Sequence, residues 1–270
     1  MKTRIITAAV LVPVLLIVVL ALPKIVMALV LAAFCAIAAY ELLYRTGLVR
    51  HMRLVAYTML AAALVPVWCY FGMAYAWGLL GVLVFVMALF AEMMASTGKL
   101  HFEKVTMCLV AGLLVPYLFA AMIRIHVTEL GRFLIMIPCI LAFIPDSGAY
   151  FVGCFFGKHK LAPVISPKKT VEGAVGGVLT AILGMLLYAI ILDLGFDRDV
   201  NYGYALAYGI IVSVGDIFGD LMFSVIKRQT GIKDYGNLFP GHGGILDRFD
   251  SMIIVAPLTE VLLILLPMVV

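Results

Sequence analysis

Nine stretches of roughly 20 mostly apolar residues recur along the chain, at about 5–22, 25–44, 54–71, 75–95, 105–123, 133–156, 174–194, 202–225 and 251–269. Short polar breaks separate them, as in a compact bundle. Each stretch is long enough for a helix that crosses a bilayer, so the pattern predicts an all-α polytopic integral membrane protein of about nine transmembrane helices. The opening MKTRIITAAVLVPVLLIVVLALPK has the basic start and apolar run of a signal peptide. Its run is nearly membrane-spanning and many similar segments follow, so it is read as an uncleaved first helix. Placing the N-terminus in the cytoplasm assigns 15 Lys/Arg to the inside segments and 4 to the outside loops, which fits the positive-inside rule. The loops at 157–172 and 225–250 then both face the cytoplasm. No internal repeat, low-complexity run or soluble domain stands out. The expected organisation is a scaffold of transmembrane helices over 1–130 and a catalytic transmembrane region over 131–270.

Composition strengthens this reading. The chain has 270 residues, of which 65% are hydrophobic and 13% charged, and its mean hydropathy is +1.18. That is more apolar surface than a soluble core of this size can hide. Cys35, Cys69, Cys108, Cys139 and Cys154 are scattered singly with no C-x-x-C spacing, so neither a disulfide framework nor a zinc site is expected. The net charge of +4 follows from the positive-inside bias alone and gives no reason to expect a nucleic-acid partner.

Against that background, Ser224 to Asp250 carries seven charged residues and a histidine. It runs from Lys227-Arg228 through Lys233-Asp234 and the flexible turn His242-Gly243-Gly244 to Asp247-Arg248-x-Asp250. In the span before it, Asp216, Asp220, Ser224 and Lys227 fall on one helical stripe. Ionised groups at that depth are costly and mark a functional cavity; a structural Asp pair bonded to neighbouring helices is the bland alternative. Asp247 and Asp250 present carboxylates from one short turn, and oxygen ligands of this kind suit Mg²⁺, with Asp220 able to complete the set. A second polar cluster spans 146–173. In it Asp146 follows Pro145 within an apolar stretch, and Lys168, Lys169 and Thr170 lead into a helix start with Glu172. Lysines there suit an anionic phosphate, and equally an anchor obeying the positive-inside rule. Glu41 and Glu92 are read as interfacial residues near helix ends. Gly173/Gly177 and Gly215/Gly219 offer close helix contacts, within the chain or in a homodimer.

These residues resemble the phosphatidate cytidylyltransferases (CDP-diacylglycerol synthases). The resemblance rests on Ser224-x-hydrophobic-Lys227-Arg228, Lys233-Asp234-x-Gly236, Phe239-Pro240-x-His242-Gly243-Gly244 and Asp247-Arg248-x-Asp250. Asp146-Ser-Gly-Ala-Tyr150, Gly157-Lys-His-Lys160 and Ser166-Pro-Lys-Lys-Thr170-x-Glu172-Gly173 are similar to the family's other characteristic region. The first 130 residues match only in being polytopic and apolar. The resemblance implies a magnesium-dependent enzyme of phospholipid synthesis in the cell membrane, turning CTP and phosphatidic acid into CDP-diacylglycerol and pyrophosphate at the cytoplasmic face. Under it, Asp220 and Asp247 are the principal metal ligands, and Asp216, Asp146 and Asp250 serve a second ion or support the first. Lys227, Arg228, Lys233 and Arg248 clamp phosphates, while Lys168, Lys169 and Thr170 hold the nucleotide. Ser224, His242, Gly243 and Gly244 complete the substrate-binding set. Asp234 is open between catalysis and pairing with Lys233 or Arg228. Two other readings stand beside this one: a different membrane transferase that moves a phospho-group onto a lipid, and a cation or proton transporter using Asp216 and Asp220.

Overall fold

A computed structural model describes residues 13–14, 16–98, 100–239, 241 and 243–269. Seven helical stretches in it are long and apolar enough to cross a membrane: Lys24–Arg45, Met52–Phe71, Tyr75–Ala95, Phe102–Val127, Gly131–Phe156, Val171–Phe196 and Tyr202–Gln229. They coincide with seven of the nine expected stretches. The chain is a multi-pass helical membrane protein. The expected first span lies largely outside the described residues. The expected last one forms a helix of only 14 residues, Met252–Leu265, about 21 Å long against a hydrocarbon core of about 30 Å. Pro267 stops it by forcing Leu266 out of the helical region, to φ −134°.

The chain falls into two compact units, residues 1–127 with 229–249 and residues 128–228 with 250–270. In the first unit lie α1 (Lys24–Tyr40), α2 (Met52–Phe71), α3 (Tyr75–Ala95), α4 (Phe102–Leu109), α5 (Val115–Phe119) and α6 (Ala121–Val127). α1 runs on into a π-helical turn, Glu41–Arg45, and a second π turn, Val110–Leu114, joins α4 to α5. The polar segment 229–249 also belongs to this unit. Its short helix, α11 (Leu246–Phe249) in chain order, is pinned by Phe249, whose ring lies 5.2 Å from that of Phe34 and 5.7 Å from that of Phe119.

The second unit holds α7 (Gly131–Leu134), α8 (Met136–Phe156), the strands β1 (Lys160–Ala162) and β2 (Ser166–Thr170), α9 (Val171–Phe196), α10 (Tyr202–Gln229) and α12 (Met252–Leu265). β1 and β2 pair antiparallel, with Lys160 opposite Thr170 and Ala162 opposite Ser166. This hairpin departs from the expectation of purely helical structure, and its backbone bonds hold the lysine-rich loop in one conformation. Its helices meet at small residues, which let backbones approach to where dispersion contacts are strong. A Cβ on Gly209 of α10 would come 2.7 Å from the Cα of Ile182 in α9. Gly215 and Gly219 lie against Leu258, Ile254 and Ser251, and Gly173 and Gly177 against Ala149 and Pro145, so both glycine pairs serve contacts within the chain. All five cysteines are free, as expected.

Close packing at Gly209 yields a direct test. Gly209→Leu forces α9 and α10 apart and should cost about 1–3 kcal/mol, read as a lowered Tm of the detergent-purified protein. Gly81→Leu, placed where nothing described lies within 4 Å, should leave the Tm unchanged or raise it slightly, because leucine is the better helix former.

Candidate functional site

In the second unit α10 puts Asp216, Asp220, Ser224 and Lys227 on one stripe, as the spacing predicts. Asp216 is buried, at 2% exposure, and its Oδ1 has no hydrogen-bond partner among the described residues. One turn on, Ser224 Oγ donates to Asp220 Oδ1 over 3.3 Å, and the ammonium of Lys169 pairs with Asp220 Oδ2. Lys227 Nζ stands 3.8 Å from Asp250 Oδ2, and Asp250 Oδ1 accepts the Ser251 N–H at 2.9 Å. Burial first, and then the Asp220 charge, pushes the Asp250 carboxyl up to about 8, while Lys227 and the Ser251 amide pull the other way. Asp146 is close enough for its charge to act on both Asp216 and Asp250. Four carboxylates and two lysines from two helices, β2 and the turn before α12 therefore share one electrostatic neighbourhood.

Beside them opens a cavity of about 440 Å³, whose lining includes Asp146, Lys160, Lys168, Lys169, Thr170 and Asp216. The hairpin makes this wall. Thr170 ends β2 in extended conformation and caps α9, its Oγ1 accepting the Gly173 N–H at 3.1 Å. Glu172 reaches back from the first turn of α9 to accept the N–H groups of Lys158 (3.1 Å) and His159 (3.2 Å), and its Oε1 lies 2.6 Å from His159 Nδ1. These bonds fix where Lys160, Lys168 and Lys169 leave the backbone. Arg228, at the end of α10, donates from Nε to the Ile165 carbonyl at 3.0 Å and so ties the hairpin's turn to the same helix.

The glycine-rich segment of the first unit is held by carboxylates too. Asp247, in the first turn of α11, accepts on Oδ2 the N–H groups of Tyr235 (2.7 Å), Gly236 (3.4 Å) and Gly244 (2.9 Å). Phe239 and Gly243 exchange backbone bonds of 2.9 and 3.2 Å, closing a turn in which Gly241 and Gly243 take φ of +77° and +88°, a region that suits glycine. Lys233, Asp234 and Arg248 are exposed on this segment, and His242 lies outside the described residues. Glu41 is the residue that sequence reasoning missed. Read as interfacial, it is instead buried, at 3% exposure, and accepts the N–H groups of Ile245 (3.2 Å) and Leu246 (2.9 Å). An acidic residue inside an otherwise apolar stretch was the available signal.

Asp146, Asp216, Asp220 and Asp250 carry oxygen donors of the kind hard divalent cations prefer, and Asp216 Oδ1 has no hydrogen-bond partner among the described residues. Among the described residues no three His, Cys, Asp or Glu side chains stand close enough to hold an ion as a preformed cage.

Comparison with known proteins gives the family. A phosphatidate cytidylyltransferase of Bacillus subtilis (strain 168) is 42% identical over 165 residues, 61% of this chain and 60% of that protein. One from Staphylococcus epidermidis (strain RP62A) is 46% identical over 130 residues, 48% of each chain. One from Staphylococcus haemolyticus (strain JCSC1435) is 39% identical over 170 residues, 63% of each. The matches thus span about half to three-fifths of the length of these curated relatives. The pattern of the Cytidylyltransferase family extends further, over residues 2–266, and on that match the chain belongs to the Cytidylyltransferase family.

Proposed function

We propose that this protein is a phosphatidate cytidylyltransferase, joining the phosphate of phosphatidic acid to the α-phosphorus of CTP with release of pyrophosphate. The observation that carries the reading is the cavity at which Lys160, Lys168 and Lys169 face Asp146 and Asp216. The reaction wants cations for a triphosphate and carboxylates for a divalent metal together. The relatives' names and the family point the same way, and the family membership removes the motive for the transporter alternative.

The lipid phosphate is already an anion, so its attack needs little base catalysis. The barrier lies in bringing two anions into line. In this reading Lys168 and Lys169 hold the triphosphate from β2, with Thr170 and the N-terminal end of α9 beside them. Lys227 holds the Asp250 end of the site in place, and Arg228 holds the hairpin to α10. One oxygen of the lipid phosphate bonds to the α-phosphorus as the bond to the β-phosphate oxygen breaks, and the electron pair leaves with pyrophosphate. Mg²⁺, with or without a second ion, would supply charge neutralisation on the phosphates. Asp216, Asp220, Asp146 and Asp250 are proposed to hold it in the second unit, and Asp247 of the first unit is proposed as a ligand in its own right. We place the phosphate-binding loops at the cytoplasmic face of the plasma membrane, the N-terminus in the cytoplasm and nine helical segments in the chain, on the 15 to 4 Lys/Arg split.

Purified protein given CTP, Mg²⁺ and phosphatidic acid should release pyrophosphate and form CDP-diacylglycerol. Hydrolysis of CTP to CMP, or no CDP-lipid across several detergents and lipid mixtures, overturns the assignment. Lys169→Ala should cut kcat/KM for CTP by roughly 10- to 150-fold. The loss should be non-additive with that of Asp220→Asn, because each removes the other's ion-pair partner. Full additivity would mean that the pair does not act as a unit. Asp220→Asn and Asp247→Asn should each purify like wild type, lose most activity at ordinary Mg²⁺ and regain part of it at high Mg²⁺; near-normal activity removes that residue from the set. For topology, single cysteines in a cysteine-free background should label with an impermeant maleimide on intact cells at position 197 and not at 168. The opposite pattern inverts the orientation.

A further inference from the structure

The buried carboxylate of Glu41 has a place in this structure that packing alone does not explain. It leaves the backbone at the first residue of the π-helical turn Glu41–Arg45, a wide turn that is rare and frequently found at functional sites. Thr46 meets the carbonyls at its end, its Oγ1 donating to Leu42 O at 2.6 Å. Oε1 and Oε2 of Glu41 take the N–H groups of Ile245 and Leu246, some 204 residues further along the chain. Those donors sit at the entry to α11, where helical N–H groups lack partners within the helix. Gly236 and Gly244 press on the same carboxylate, and a Cβ at either would run into it. Asp247 grips the loop from the other end through the N–H groups of Tyr235, Gly236 and Gly244. The loop is thus fastened between two carboxylates, one from α1's extension and one from its own helix.

We propose that Glu41 is a positioning residue for the transfer reaction: it clamps the glycine-rich loop at Ile245 and Leu246 and thereby fixes the place and orientation of Asp247. The role rests on the proposed cytidylyltransferase reading, in which Asp247 is a metal ligand in its own right, and Glu41 acts only through the loop. The N-terminal helices then do more than fill the membrane.

Hydrogen–deuterium exchange and steady-state kinetics on the full-length, detergent-purified protein test this together. Glu41→Gln keeps one acceptor oxygen and Glu41→Ala keeps none, so peptides covering 243–247 should exchange faster in that order, with α1 and α2 unchanged. kcat should fall in step, by about 10- to 100-fold in the glutamine variant, while KM for CTP stays within about twofold. If the alanine variant fails to fold, the glutamine variant still carries the comparison. Unchanged loop exchange, or faster exchange with kcat intact, overturns the proposal. So does a kcat loss accompanied by faster exchange throughout α1 and α2, which marks a packing role. Wild-type protein that makes no CDP-lipid counts against the reaction and hence against any role in it, whereas the exchange data, taken without substrate, separately report whether the clamp exists.

Discussion

A carboxylate inside a chain this apolar is stable only where donors meet it, because moving an unpaired charge out of water costs several kcal/mol. That constraint organises both units. Glu41 and Asp247 are met by backbone N–H groups, Asp220 by an ammonium and a hydroxyl, and Asp250 by Lys227 and the Ser251 amide. Each solution requires a segment to come to the acid: the loop 235–247 to Glu41 and Asp247, the hairpin to Asp220, the start of α12 to Asp250. The irregular backbone of this protein is thus held by its acids, which is how non-helical structure persists among membrane-spanning helices.

The two units solve the problem with different donors. In the first, backbone amides dominate, and a bond from a backbone amide fixes geometry without adding charge. Its product is a loop of fixed shape. In the second, ammonium groups dominate, and they balance carboxylates with side chains that can move to another anion. Lys169 pairs with Asp220 yet lines the cavity beside Lys168 and Lys160. An arrangement of that kind suits the proposed site, in which Lys169 would leave one anion for another.

Seven of the spans were legible in the sequence because length and apolarity decide them. The stripe Asp216–Asp220–Ser224–Lys227 was legible because a helix repeats its faces. The hairpin was not: β1 is only three residues long, and its pairing is fixed by contacts around Thr170 and Glu172 rather than by a strand pattern. The role of Glu41 was hidden for another reason. Its partners are some 204 residues away and are backbone amides, so no side-chain spacing encodes them. The π turn that aims it leaves no compositional trace either.

The glycines of the signature segment follow from this geometry as much as from any ligand. Gly236 and Gly244 touch Glu41, and Gly243 lies against Asp247 with a φ of +88°. A side chain at 236 or 244 would push the Glu41 carboxylate off its two amides, and one at 243 would displace the Asp247 side chain. The glycine-rich run reads in sequence as a flexible cradle for phosphate, yet its described part is bound at seven backbone N–H groups: 235, 236, 239, 243, 244, 245 and 246. Glycine here serves close approach of backbone to carboxylate, and the loop it makes is rigid. A loop so bound holds Asp247 in one place at no further ordering cost, which is the form of preorganisation that its proposed role calls for.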